Sequence, residues 1–173
     1  MKLPWRFLVM VSAVVAGSLL LTACGGGGEK ISLDEYFRQL DAVEEGMKTK
    51  VSALDEQSGE AVGQDVQATR DYVDSYYSIV QQGLNDVKAL QPPAEAKDAQ
   101  DEFVASLANM LSLWQDLSVR LAGVETTEEL QTLLTGLESE TQWLDTSQKF
   151  TDACRALQAI ATDKGIDVTL DCE

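Results

Sequence analysis

The sequence predicts an all-α protein, an antiparallel up-down-up-down four-helix bundle with a short extended tail at its C-terminal end. Apolar residues recur every three or four positions through most of the chain, which is the spacing of one buried helix face. Glycine or proline interrupts this spacing around residues 58–63, 92–93 and 123. The interruptions are short, and short connections favour antiparallel neighbours in a helical bundle.

The first predicted helix begins at Ser32. Glu35 follows three residues later, and this pair has the capping-box pattern, in which each side chain bonds the other residue's backbone amide. The apolar stripe of the helix then runs through residues 33–54. Gly59 and Gly63 follow the stripe and predict a loop.

The second predicted helix spans about residues 64–90. It stops at Pro92 and Pro93, because the residue before a proline disfavours the helical conformation. The third helix has the most regular spacing, since its apolar residues over 96–124 recur at steps of three and four positions. Gly123 marks its end.

The fourth predicted helix begins with a second capping box, formed by Thr126 and Glu129. Its apolar residues extend over positions 130–160, but their phase slips inside this stretch and Gly136 weakens the helix. The last helix is therefore predicted to be long and to be kinked or broken between residues 136 and 147.

The composition is strongly acidic. The 173 residues carry 29 Asp and Glu against 13 Lys and Arg, a formal net charge of −16, and histidine is absent. Nucleic-acid partners are excluded on this interpretation, because phosphate contacts need clustered lysine and arginine. Without histidine, Ser-His-Asp and Cys-His nucleophile systems cannot form, and zinc sites of the Cys/His type are excluded. We therefore expect no catalytic residue, no metal ligand, no cofactor and no enzymatic activity.

The N-terminal segment predicts export. Lys2 and Arg6 begin it, and the uncharged run that follows, 7–23, has 17 residues. This is shorter than the roughly 20 residues of a spanning helix and has the layout of a secretory signal. Leu21-Thr22-Ala23-Cys24 closes the run and resembles the lipobox of bacterial lipoproteins. The resemblance implies cleavage before Cys24 and attachment of lipid to its sulfur.

The same resemblance implies how the chain is organised. Residues 1–23 would be a cleaved signal peptide, residues 24–31 the lipidated cysteine with a glycine-rich tether, and residues 32–173 a single helical-bundle domain. The lipid would hold the protein at the extracytoplasmic face of the bacterial cell membrane or outer membrane. The alternative is an uncleaved signal anchor in which Cys24 is incidental.

The last residues predict a tail folded back on the fourth helix. Beyond Gly165 the apolar period changes to two, which places Cys172 on the same face as the tail's apolar residues. A helix rises about 16 Å from Cys154 to Gly165, so a returning tail brings Cys172 level with Cys154. In an exported protein these two cysteines are expected to form a disulfide. In a reducing compartment they would remain free thiols.

A second resemblance covers about residues 80–173. The segment Phe150-x-x-Ala153-Cys154-x-x-Leu157, followed by Gly165-Ile166-Asp167-Val168 and Cys172, is similar to the ending of small helical envelope lipoproteins of bacteria. The Leu90-x-Pro92-Pro93-Ala94-Glu95-Ala96 junction resembles theirs as well. These motifs are structural, and the resemblance implies no activity.

Aromatic residues gather on the last three predicted helices. Tyr72, Tyr76 and Tyr77 crowd the second helix, Trp114 lies on the third and Trp143 on the fourth. We interpret them as residues of the core or its rim, because tyrosine keeps its hydroxyl near water. The alternative is a small-molecule pocket between helices, with Tyr76, Tyr77 and Trp114 in its wall.

Together these features predict a membrane-anchored, non-catalytic envelope lipoprotein. It would act as a structural or protein-interaction module with an unknown protein partner, and the lipid on Cys24 would supply its membrane contact. The alternative is a helical bundle that binds or senses a small ligand outside the cytoplasm.

Overall fold

The computed structural model describes residues 31–137 and 139–172. This part of the chain forms five α-helices and a short 3-10 helix and contains no strand, so the all-α prediction is confirmed there. The helices are α1 (Leu33–Ser58), α2 (Val66–Ala89), α3 (Ala94–Ala122), α4 (Thr127–Leu137) and α5 (Thr141–Asp163), with the 3-10 helix Gly59–Ala61 after α1. The predicted signal peptide, Cys24 and its glycines lie outside the described residues.

The four long helices pack in a simple order. α1 packs against α2, α2 against α3, and α3 against α5. The shorter α4 covers one end of this group, because its Leu130 is fully buried in a cluster with Val73 of α2 and Leu121 of α3. A second and larger cluster fills the rest of the interior around Phe37, Leu107 and other residues of the four long helices.

Both predicted helix starts are capped by their hydroxyl side chains. The Ser32 Oγ accepts a hydrogen bond from the Glu35 amide at 3.1 Å, while the Glu35 carboxylate accepts from the Gln39 side chain. At the other start the box is reciprocal: the Thr126 Oγ1 accepts from the Glu129 amide, and the Glu129 carboxylate accepts from the Thr126 amide. These bonds satisfy amides that have no partner inside a helix.

The stretch predicted as one long last helix contains α4 and α5. The described residues therefore form five helices where four were predicted. The amide of Glu140 bonds the carbonyl of Leu137 in the turn between the two helices, and this turn resets the phase of the apolar stripe. As a result Leu144, an apolar residue of the stripe predicted over positions 130–160, is 61% exposed, and Trp143 packs against the interior in its place.

The tail after α5 returns along that helix. Gly165 adopts a φ of +68°, which glycine accepts without strain, and the amide of Ile166 then bonds the carbonyl of Ala161 at 2.9 Å. Burial alternates along residues 166–172 with the predicted period of two. The structure contains the predicted disulfide between Cys154 and Cys172, whose Cα atoms are 5.5 Å apart.

Candidate functional site: an apolar cleft between the long helices

A cleft of about 400 Å³ lies between the four long helices and the tail. We call it the apolar cleft, because most of its walls are aliphatic and aromatic side chains. Its lining residues come from α1, α2, α3, α5 and the tail. All five elements are therefore needed to form the site.

The apolar cleft is long and narrow. On each of the four helices, the first and last lining residues are eleven positions apart, which corresponds to about 16 Å along a helix. These pairs are Leu40 and Val51 on α1, Tyr76 and Val87 on α2, Phe103 and Trp114 on α3, and Trp143 and Cys154 on α5. The cleft thus runs lengthwise between the helices.

A row of four aromatic rings stands at one end of the apolar cleft, and three of them, Tyr76, Trp114 and Trp143, line it. The ring centroids of Tyr76 and Trp114 are 4.4 Å apart, and those of Trp114 and Trp143 are 5.6 Å apart with the rings nearly perpendicular. Tyr72 stacks on Tyr76 at 6.2 Å and donates a hydrogen bond of 2.8 Å to Asp55 of α1. Burial, with this bond to the carboxylate, raises the pKa of Tyr72 to about 12. We call these rings the aromatic row.

The sequence-predicted pocket residues are only partly together. Tyr76 and Trp114 both line the apolar cleft. Tyr77 does not, because it lies in a separate shallow depression with Asp74 and Gln115, between α2 and α3. Its hydroxyl donates to the side chain of Gln81 at 3.2 Å. The structure therefore separates neighbouring tyrosines that the sequence grouped on one turn.

Charged groups stand where the tail meets α1, at the edge of the apolar cleft. The Lys48 Nζ lies 3.1 Å from an Asp171 carboxylate oxygen, and the backbone amide of Asp171 donates to the Glu44 carboxylate. Burial raises the pKa of the Glu44 carboxyl above its ordinary value. The hydrogen bond to Asp171 raises the pKa of Lys48. Two carboxylates and one ammonium group therefore border the cleft here.

Sequence reasoning missed the residues that hold the tail. Gln158 of α5 donates to the Val168 carbonyl at 3.1 Å and accepts from the Leu170 amide at 2.7 Å. Glu44 and Lys48 hold the next residue, Asp171, from α1. Their i,i+4 spacing is an ordinary pattern of an exposed helix face, so no local signal singles them out.

The chemistry that the cleft offers is burial of apolar surface. The cysteine that lines the cleft, Cys154, is joined to Cys172 in the disulfide and therefore offers no free thiol. Within residues 31–137 and 139–172, no group of three acidic or cysteine side chains is placed to hold a metal ion. No helix in the same ranges has the length and apolar character needed to cross a bilayer.

No protein-family model, curated protein or solved structure matches this chain.

Proposed function

We propose that this chain is a lipid-anchored helical module on the extracytoplasmic side of a bacterial membrane, and that it binds a small apolar ligand without catalysing a reaction. The lipobox pattern that ends at Cys24 supports the anchor and the location. The chain has no histidine, and two of its three cysteines are joined to each other. These features favour binding over catalysis.

We also propose that the long helices run up-down-up-down, with α4 and α5 as the two parts of a broken last helix. The aromatic row supports this arrangement. Trp114 lies near the end of α3, whereas Tyr76 and Trp143 lie in the first halves of α2 and α5, yet the three rings meet. Earlier in α3, Gln100 bonds the Val87 carbonyl near the end of α2, and Phe103 packs against Phe150 farther along α5. Contacts that run in opposite directions along two helices support an antiparallel order.

The observation that carries the ligand proposal is the apolar cleft. Protein interiors are close-packed, and voids much larger than a water molecule are few. A cleft of 400 Å³ lined mainly by apolar side chains falls in the usual range of small-molecule sites, about 300–1,000 Å³. The geometry thus favours the interpretation of the aromatic residues as the wall of a ligand pocket over their interpretation as core residues.

Tryptophan fluorescence tests the ligand proposal directly, because Trp114 and Trp143 both line the cleft. Titration with an apolar naphthalene dye should give a saturable change in their emission. Val80→Phe, which places a ring inside the cleft, should weaken this binding at least tenfold. Val119→Phe makes the same change at a side chain that is 69% exposed and should leave binding unchanged. Equal binding by both variants, or no saturable binding, would refute the proposal.

The anchor proposal has its own test. Cys24→Ala removes the only sulfur in the lipobox, so the variant protein should take up no labelled fatty acid when cells are grown with one. The unchanged protein should carry the label and stay in the membrane fraction through a high-salt wash, because acyl chains and not charges would hold it. Equal labelling of the Cys24→Ala protein and the unchanged protein would contradict the lipid anchor.

Protein contact is the second candidate function, and the charge of the chain favours it. A net charge of −16 suits a cationic partner, because complementary potentials steer association. Among the described residues the exposed large apolar side chains are Val119 and Leu144, so recognition would rely mainly on charge. Crosslinking in cells at low and high salt tests this: a basic partner should be captured at low salt and lost at high salt. Capture that is independent of salt would contradict a charge-based contact.

A further inference from the structure

We propose that the ligand is a single linear hydrocarbon chain that lies lengthwise in the apolar cleft. This inference rests on the proposed ligand-binding function and adds the chemical class of the ligand. The shape of the cleft, its lining and the charges at its edge each contribute an independent reason.

The first reason is shape. The lining residues of all four helices extend over about 16 Å along the helices. A volume of about 400 Å³ spread over this length makes the cleft elongated. An extended hydrocarbon chain contacts the apolar lining along the whole length, whereas a compact ring system with the same number of carbon atoms contacts only part of it.

The second reason is the lining. Along its length the cleft presents apolar side chains such as Leu107 and Phe150, and Met47 and Met110 lie among them. Methionine has three rotatable bonds and a polarizable sulfur, so it adapts to an irregular or flexible ligand. The polar lining residues Ser147 and Thr151 both lie on α5. Apart from these and the charged residues Glu44, Lys48 and Asp171, the lining is aliphatic or aromatic.

The third reason concerns the polar end of the ligand. Glu44, Lys48 and Asp171 border the cleft where the tail meets α1, with two negative charges against one positive. The whole chain is also acidic, with a net charge of −16. A carboxylate head group would be repelled by this field. An uncharged or cationic head group is therefore favoured.

The test uses full-length protein carrying Cys24→Ala, so that an acyl chain on Cys24 cannot compete for the cleft. The same protein carries Trp5→Phe, so that the emission comes from Trp114 and Trp143 alone. The probes are 1-alkanols of increasing length, with cyclic alcohols of equal carbon number as controls, and the readout is this emission. Each added methylene should tighten binding about fourfold until the chain fills the cleft. Beyond that length the affinity should stop rising. The cyclic alcohols should bind at least tenfold more weakly than linear ones.

A larger side chain inside the cleft should shorten the space for the ligand, and the same substitution at an exposed position is its control. Val80 lines the cleft between its two ends, so Val80→Phe should shorten the chain length at which the affinity stops rising. Val119→Phe, on the exposed face of α3, should leave that length unchanged. If Val80→Phe does not fold, Thr151→Trp at the half-buried edge of the cleft takes its place. If a folded variant with the larger side chain in the cleft shows the same chain length at which the affinity stops rising, the inference is overturned.

The remaining outcomes separate the two proposals. If cyclic alcohols bind as tightly as linear ones, the linear-chain inference fails and the ligand-binding function survives. If no probe binds saturably, both fail. A 1-alkylamine should bind at least as tightly as the alkanol, and an alkanoate more weakly; the reverse order would overturn the head-group argument.

The same probes distinguish a free amphiphile from the acyl chain of the protein itself. If the acyl chain on Cys24 occupied the cleft, the membrane-extracted protein would bind no alkanol while the Cys24→Ala protein would bind it. Equal binding by both would assign the cleft to a free ligand.

Discussion

At the residue scale, Tyr36 is the least expected group in the core. Its side chain is fully buried, and its hydroxyl has no hydrogen-bond partner within the described part of the chain. Burial raises the pKa of this phenol far above its ordinary value. A buried polar group without a partner costs about 1–3 kcal/mol of stability. The Tyr36 ring itself stabilises the core, because it packs edge-on against Phe37 with the ring centroids 5.0 Å apart.

We therefore expect Tyr36→Phe to stabilise the protein, raising the free energy of unfolding by about 1 kcal/mol. The ring and its packing stay while the unpaired hydroxyl is removed. Tyr72→Phe is the matched control, because it removes a hydroxyl that donates to Asp55 and should lower the same free energy by about 1 kcal/mol. Urea unfolding of both variants measures these differences. Destabilisation by Tyr36→Phe would show that the hydroxyl is bonded, for example to a buried water.

Glu44 makes the stability of the folded protein depend on pH, and the direction of this dependence follows from its raised pKa. Burial raises the pKa of its carboxyl above the ordinary value of 4.5, so the folded state binds this proton more tightly than the unfolded chain does. The resulting stability is present below the ordinary pKa and is lost as pH rises through the raised value. Glu44→Gln should therefore gain stability relative to the unchanged protein between about pH 4 and pH 7. Paired urea titrations across this range measure it; a difference that does not vary with pH would contradict the raised pKa.

At the element scale, Arg70 of α2 caps the end of α3. Its guanidinium donates to the carbonyl of Leu121 at 3.0 Å and to that of Val124 at 2.6 Å. Carbonyls at a helix end have no partner inside the helix, and a positive charge is favourable there because of the helix dipole. One side chain thus ties α2 to the turn that leads into α4.

Arg70→Met should lower the free energy of unfolding by about 2 kcal/mol, because hydrogen bonds from a charged group are lost while the aliphatic stem is kept. Arg38→Met is the matched control. Arg38 pairs with Asp34 on an exposed face of α1, and such a surface pair contributes about 0.5 kcal/mol or less. Thermal or urea unfolding separates the two, and equal effects would contradict the capping role of Arg70.

Gly83 of α2 lies directly against the Met47 side chain of α1. A Cβ at this position would lie 1.7 Å from the Met47 sulfur, so the Met47 side chain would have to move to admit a methyl group. Gly83→Ala should lower the free energy of unfolding by about 1–3 kcal/mol through overpacking. Gly46→Ala should raise it by about 0.5–1 kcal/mol, because nothing lies near that position in α1. Calorimetry of both variants tests this contrast, and stabilisation by Gly83→Ala would show that Met47 moves without cost.

The boundaries of the elements were predictable because their signals are local. Ser32 and Thr126 mark the starts of helices, and the prolines at 92 and 93 separate α2 from α3. That Trp143 and not Leu144 faces the interior was not predictable, because this depends on the turn after α4, which resets the phase of the apolar stripe. The sequence offered a pocket between helices only as an alternative, and the extent of the apolar cleft beyond Tyr76 and Trp114 was not predictable for a similar reason. It forms from residues of four helices and the tail, and spacing along one helix says nothing about how closely the others approach.

At the scale of the whole molecule, the tail completes the bundle. Within the described residues α1 and α5 make few direct contacts, and the tail lies where these two helices would otherwise leave the apolar cleft more open. Cys172 and Gln158 hold it on α5, while Asp171 meets Glu44 and Lys48 of α1. Leu170 is buried between these attachments and lines the cleft. The tail therefore forms part of the cleft wall.

Removing the disulfide tests this role of the tail. The two cysteines are 18 positions apart, and closing a loop of this size contributes about 3 kcal/mol in the chain-entropy model. A protein with Cys154→Ala and Cys172→Ala together should lose about that much unfolding free energy, and hydrogen exchange at the amides of Leu170 and Asp171 should become faster, because the tail detaches more often. Binding in the apolar cleft should weaken in the same protein.

Cys24→Ala is the control for that double variant, because it removes a cysteine that is not part of the disulfide, and it should change neither stability nor tail exchange. Unchanged exchange at Leu170 in the double variant would mean that Gln158, Glu44 and Lys48 hold the tail without the disulfide. The tail would then remain a wall of the cleft, and the disulfide would act on stability alone. Weaker ligand binding together with faster hydrogen exchange in the tail would instead show that the cleft binds its ligand well only when the disulfide joins the tail to α5.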